Sequence, residues 1–429
     1  MLNSAQYASI VDADPPDTQV AAGVNDVVEM VNDQVIVDSK VSGSARLTSD
    51  LEPFFKSPLN QGISDPKVVY NRFTGHFYAS AVTFTVDANG KPDYSQSSVL
   101  LAVSKTADPA GSWNQYVVNT ATGLVLDQPK LGMSGDKIVL TANEYSCPTC
   151  YQGTQTYVVD QYSAEAGAQP PIISGFDDGM NKVLPVVNVD TGTTGNDAYE
   201  VYPHSCGVLG LSTCITVITI TGSVTPLVNR SYSSDVGITD FSQPPGAAQA
   251  GTTVLLDTGD TRLQSASFHN GTLWTVANDA CQAGGATLSC IRAIELTSAA
   301  STSPAKALDT DVYYPGTFLM DPAITLTAHD DLFIAASASS PSISPTAFAL
   351  SAPAGSTSVT VTNLGSGQGP LTGHLDSNGH QRFGDYSGIG LDAASPDAVW
   401  VAAELGNVKP SDPNVQYWWG TAVAALSYR

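Results

Sequence analysis

The sequence predicts an all-β chain, a seven-bladed β-propeller of four-stranded antiparallel blades, and three observations predict it. An aspartate opens a short apolar strand six times, at Asp17, Asp65, Asp127, Asp260, Asp321 and Asp385. A second strand follows after about ten residues, often ending in Asn, Asp or Glu. Residues 182–187 and 198–202 form a seventh, weaker copy without the leading aspartate. With it counted, the mean step from Asp17 to Asp385 is about 61 residues, a blade period rather than a solenoid one. Finally, the apolar runs are short, rich in Val, Ile, Thr and Tyr, and bounded by Gly, Pro, Asn and Asp, which is strand punctuation.

The expected organisation is one domain over residues 1–429, with blades starting near 17, 65, 127, 183, 260, 321 and 385. In blade two the strands are residues 68–70, 77–83, 99–104 and 113–118. In blade three they are 130–131, 138–143, 156–162 and 171–174. Third strands of later blades include 216–220, 291–296 and 346–350. Residues 243–246 and 299–304 read as loops, since proline cannot donate to a central ladder. A ring must leave no unpaired edges, so residues 1–16, strand-like over 6–11, are expected to supply the outer strand of blade seven beside residues 422–428.

Composition bounds the function. The 429 residues are 42% apolar and 13% charged, enough for a large core. A formal charge of −23, with only 17 Lys and Arg, argues against nucleic acid and against an anionic membrane surface. No run reaches the roughly 18 apolar residues of a membrane span. The start lacks signal regions, so a signal peptide is expected to have been removed from a secreted or cell-surface, monomeric protein. The six cysteines fall into three local pairs, Cys147 with Cys150, Cys206 with Cys214 and Cys281 with Cys290, as disulfides formed in an oxidising compartment would.

Direction gives the candidate site. In an up-and-down blade the start of the first strand and the end of the second share one face, so Asp127 should approach Asn143 and Glu144. Likewise Asp260 should approach Asn278 and Asp279, Asp385 should approach Glu404, and Asp17 should approach Asn32. His204 and all three cystine loops belong to the same rim, where a rigid scaffold presents functional residues. Carboxylates paired as acid and base would suit glycoside hydrolysis, with Asp127, Glu144, His204, Asp385, Tyr386 and Glu404 as catalytic candidates. A polysaccharide lyase would instead use Tyr386 or His204 as base, with Arg262 or Arg382 on the substrate carboxylate. Asp65, Asp260, Asp279 and Asp321 complete the expected ligand-binding ring, and Tyr145, Tyr417 and Trp418 offer flat faces for sugar rings. The same aspartates could simply cap turns.

Carboxylates crowded in a channel repel one another unless a cation neutralises them, so Ca²⁺ is the expected cofactor, in the channel or in the loop of Asp87, Asn89 and Asp93. No G-x-S-x-G, H-E-x-x-H or Walker pattern occurs.

Three segments, Ser64-Asp65-Pro66-Lys67-Val68-Val69-Tyr70, residues 104–113 (SKTADPAGSW) and Gly384-Asp385-Tyr386-Ser387-Gly388, together resemble secreted bacterial sialidase-like β-propellers. The Asp-Pro starts and residues 104–113 are also similar to five-bladed propeller glycosidases of the arabinanase and xylosidase kind. The resemblance implies a fold. The sequence has no S-x-D-x-G-x-T-W box and only seven arginines. The function expected is action on an extracellular polysaccharide or glycoprotein glycan at the loop-rich mouth. A non-catalytic glycan- or protein-binding propeller is the alternative.

Overall fold

The computed structural model describes residues 13–57, 62–190, 195–207, 212–225, 227–356, 358–409, 411 and 418–428. The expected closing strand at residues 6–11 and Tyr417 lie outside them. The chain is all-β, and among the described residues its only α-helices are the single-turn Leu51–Phe55 and Gln161–Glu165.

Strands follow one another as antiparallel meanders. The first unit is Gln19–Ala22, Asp26–Val31, Gln34–Ser39 and Ala45–Asp50, and the second is Gly62–Asn71, His76–Val86, Pro92–Ser104 and Trp113–Thr122. The third is Val125–Met133, Lys137–Tyr145, Tyr151–Asp160 and Ile173–Asp177. The fourth opens with the broken strand Leu184–Pro185 and Val187–Asn188, then runs Ala198–Ser205, Thr213–Thr221 and Asn229–Tyr232. The fifth is Leu263–His269, Thr272–Ala283, Ala286–Thr297 and Ala305–Val312, and the sixth Phe318–Leu326, Leu332–Ser340, Ile343–Ala352 and Thr360–Gly365. The seventh has Gly388–Asp392, Ser395–Gly406 and Trp419–Ser427.

Burial grades from inside to outside. Every residue of Asp26–Val31 is buried, whereas Ala45–Asp50 alternates between half-buried and exposed. Strands covered on both faces carry continuous apolar runs, and outer strands keep the period of two. The covering comes from neighbouring units. Met30, Val35, Phe77 and Leu100 join units one and two, and Val276, Ile291, Ile324 and Phe348 join five and six. Val20, Val27, Trp400 and Val423 pack unit seven on unit one. The first strands also meet one another: Val187 pairs in parallel with Met133 on one side and Ser267 on the other, and Ala22 pairs with Asp392. First strands line a narrow cavity of about 60 Å³, with Val20, Val69, Met133, Val187, Ser265, Ile324 and Ile389 among its walls.

The disulfides Cys147–Cys150, Cys206–Cys214 and Cys281–Cys290 are all formed. Each closes the hairpin between second and third strands of its unit, so all three lie at the end where first strands begin. Among the described residues no helix is long and apolar enough to cross a membrane.

Candidate active site

At that end, five non-glycine residues hold left-handed backbone where a first strand begins: Asp17, Asp65, Gln128, Asp321 and Asp385, with φ between 48° and 56°. Aspartate tolerates this conformation because its short side chain bonds locally. In units two, three and six the residue sits at a bulge, where two residues face one on the second strand. The bulge re-aims the side chain. In the third unit the residue is Gln128, not Asp127: Gln128-Pro129-Lys130 matches Asp65-Pro66-Lys67, and Asp127 lies one step outward, opposite Asn143.

Asparagines at the ends of second strands hold these turns, but across units. Asn32 Oδ1 accepts from Asp65 N at 2.8 Å while its Nδ2 donates to Pro15 O at 2.9 Å. Asn278 Oδ1 accepts from Asp321 N at 2.9 Å. Asn278 thus ties its own unit to the next, its carboxamide bridging the seam. Gly384 N, one residue before Asp385, donates to Glu404 Oε2 at 2.7 Å within unit seven.

Above this ring lies a polar cleft of about 580 Å³, walled by Asp127, Gln128, Gln243, Asp257, Asp260, Arg262, Gln264, His380, Arg382 and Asp385. Two loops raise its wall. Leu256 bridges Ala247 in one loop and Gln381 in the other, which in turn bridges Leu375. Ala247, Leu256, Leu371 and Phe383 bury a small core of their own against Trp418 and Trp419. Trp418 is therefore a packing residue, 3% exposed, with its Nε1 on Pro370 O at 2.8 Å, and offers no face to a ligand.

Charges on the wall are paired. Arg262 grips Asp260 through Nε to Oδ1 at 2.7 Å and Nη2 to Oδ2 at 2.6 Å, leaving a buried Nη1 without a hydrogen-bond partner among the described residues. Burial alone would raise Asp260, but those bonds and the guanidinium charge hold its carboxyl far below the ordinary range. Arg382 reaches Asp257 Oδ2 at 2.9 Å and also hydrogen-bonds Asp385. Asp127 has no such partner. It is half-open to the cleft yet hemmed in by protein, and burial, then the charge of Asp65, pushes its carboxyl up to about 7 despite Arg262. Deeper in, burial raises Asp17, Asp321 and Glu404 well above the carboxylate range. Tyr386, buried beneath the cleft, donates its hydroxyl to Asp65 Oδ2 at 3.2 Å.

The remaining candidates lie elsewhere. Tyr145 stands half-buried at the rim, 5.5 Å from the Tyr151 ring, and feels the charges of Arg262, Asp127 and Asp260. Glu144 meets Gln155 at 3.5 Å and does not line the cleft. His204 is carried away from it by the second-to-third hairpin of unit four, where it bonds Thr216 at 2.9 Å and Asp235 at 3.2 Å. Asp279 is fully buried with its carboxylate on Arg292 and on Ser242 N, so it serves the fold. Asp87 Oδ1 accepts from Asn89 N and Lys91 N, and Asp93 Oδ1 from Ser95 N, which are turn bonds. Among the described residues no group of three or more His, Cys, Asp or Glu is placed to hold a metal. Sequence reasoning missed Gln128, Asp257, Gln264, Lys67 and Lys130. The repeated Pro-Lys after the left-handed residue was the available signal for the lysines.

No family model matches the sequence, and no curated protein matches it. Among solved structures, the chain is similar to a protein of unknown function from Dyadobacter fermentans, at 11% identity over 84% of this chain and 94% of that one, with a TM-score of 0.45. It is similar to a Trypanosoma rangeli sialidase in complex with sialic acid, at 10% identity over 91% of this chain but only 57% of the sialidase, TM-score 0.41. An α-L-arabinofuranosidase from Fusarium graminearum matches at 9% identity over 86% of this chain and 95% of that one, TM-score 0.41. At such scores the overlap assigns no role to any residue of this chain.

Proposed function

We propose that the chain is a seven-bladed β-propeller and that its polar cleft is the active site of an extracellular glycan-acting hydrolase. One observation carries this reading: two carboxyl groups in unlike environments, Asp127 and Asp385, wall the same cleft. Asp127, with its raised pKa, holds a proton near neutrality and delivers it to the departing glycosidic oxygen. Asp385, charge-paired with Arg382, faces the developing positive charge at the sugar carbon or activates water. Tyr145 gives a sugar ring a flat edge to rest on. The three disulfides support an oxidising, extracellular setting. A lyase is less well supported, since of its two candidate bases Tyr386 lies buried with its hydroxyl given to Asp65, and His204 bonds Thr216 and Asp235 away from the cleft.

A polysaccharide panel with detection of both new reducing ends and unsaturated products tests the proposal. Turnover with new reducing ends is expected, with kcat/KM falling above about pH 7 as Asp127 loses its proton. Asp127→Asn should cost about 10²- to 10⁴-fold in kcat and abolish that basic limb. Asp385→Asn should be comparably impaired. Saturable glycan binding without turnover on any member would replace the enzyme by a binding propeller.

A further inference from the structure

Beneath the cleft, two lysines meet without a contacting counter-charge. Lys67 and Lys130 occupy matching places in units two and three and are 6% and 7% exposed. Their ammonium groups lie 2.8 and 3.9 Å from the centroid of one ring, Tyr386. Neither forms an ion pair within 4.0 Å among the described residues, and Lys130 Nζ reaches only Gln264 Oε1, at 3.4 Å. Both line a cavity of about 70 Å³, together with Ser387, whose buried Oγ has no hydrogen-bond partner among the described residues.

The surrounding charges do not fill the gap. Asp17, Asp65 and Asp385 act on the pair from units one, two and seven, and Arg262 from unit five. Asp65 accepts from Tyr386, and Asp385 is bound to Arg382. Asp17 is driven toward its neutral form by burial and by Asp65 and Asp385. A buried ammonium without a contacting anion is strongly disfavoured, and burial, then the charge of Lys130, drives Lys67 well below the ordinary lysine range despite the three aspartates, so an anion arriving here would bring a proton with it. Water lends the lysines dipoles but no charge.

We propose that this cavity binds a small monovalent anion, chloride in ordinary solution, between Lys67 and Lys130 with the Ser387 hydroxyl as a third donor. The space suffices, since a water needs only about 10–15 Å³ by the same measure. Binding should weaken as pH rises toward 7, because burial, then Arg262, brings Lys130 down to about 7, and burial, then Lys130, pushes Lys67 down in the same direction. The site does not depend on the glycan reading, because it lies below the cleft and uses neither Asp127 nor the water-activating step.

Crystals of the full chain grown in bromide, with data collected at the bromine edge, give the direct test. An anomalous peak inside this cavity, within reach of a lysine Nζ and beside the Tyr386 ring, is expected, and its absence overturns the proposal. In solution at pH 5 and constant ionic strength, replacing gluconate, too bulky for the cavity, by chloride should raise Tm by about 1–2 °C per tenfold increase in chloride above Kd. Lys130→Met should lose that increment, and Lys67→Met is the second variant should the first not fold. Equal Tm in chloride and gluconate for the unmodified protein would count against the site.

Discussion

Gly384→Ala is expected to lower Tm by about 3–6 °C, the largest loss for any single methyl group at this site. Gly384 has φ +74°, and a Cβ built there would lie 1.8 Å from Asp321 Oδ2 and 2.3 Å from Asp321 Cγ. The first fact costs roughly 1–2 kcal/mol for an alanine in left-handed backbone. The second adds about 1–3 kcal/mol of overpacking, because Asp321 cannot retreat. Its amide is fixed by Asn278, its residue is left-handed, and it is buried. Moving Gly384 would also pull its N–H from Glu404. Gly379→Ala separates the two causes, since Gly379 has φ +80° but open space around its Cα. It should pay the backbone cost alone. Thermal unfolding of both variants, and of Gly384→Ala combined with Asp321→Ala, measures the collision as a coupling energy. Equal losses for Gly379→Ala and Gly384→Ala would show that Asp321 yields freely, and that the carboxylate ring is softer than its packing indicates.

This seam shows what the sequence could and could not reveal. The period was legible because the same physical device recurs: a left-handed residue where a first strand begins, most often aspartate. The unit that breaks the pattern was misaligned by one. Matching Asp127 to Asp65 follows the residue type, whereas matching Gln128 to Asp65 follows Pro-Lys, which the backbone obeys. A single step along a strand reverses the side chain. Asp127 is consequently a residue of the cleft wall, with its carboxyl raised by burial, and not the counterpart of Asp65. Likewise Asp260 does not repeat the device; it is the partner of Arg262. The cleft wall had no sequence signature, since its two loops are joined by the Leu256–Gln381 bridge, 125 positions apart in the chain, and by a core borrowed from Trp418 and Trp419. Local cystines were legible for the opposite reason: their partners are 3, 8 and 9 residues apart.

Stability is expected to fall as pH rises from about 4.5 to 7, the reverse of ordinary acid denaturation. Glu29 and Glu200 are 3% and 0% exposed, and burial is the main cause raising each from 4.5 to about 7. Glu29 meets only the Thr421 hydroxyl, 2.5 Å from Oε1, between the second strand of unit one and the last strand of unit seven. Glu200 is gripped by Arg230 at 2.6 Å, but Arg230 is shared with Asp178 at 2.8 Å, and the second carboxylate's repulsion adds to burial. A folded pKa above the unfolded one means that the native state holds the proton more tightly. The resulting stabilisation is complete below about pH 4.5 and disappears as pH climbs through 7, at about 3 kcal/mol for each group. Asp127 acts in the same direction but more weakly, since water in the cleft screens it. Asp260, held low by Arg262, acts oppositely only at strongly acid pH. Lys130, pushed down to about 7, restores some stability above that pH, so the decline should flatten there. Tm measured from pH 4 to 8 checks the profile. Glu29→Gln, which keeps the shape and cannot ionise, should match the unmodified protein at pH 4 and exceed it by about 2–4 °C at pH 8. A Glu29→Gln profile parallel to the original would place the seam between units one and seven in contact with water, and the acid preference would then have to come from elsewhere.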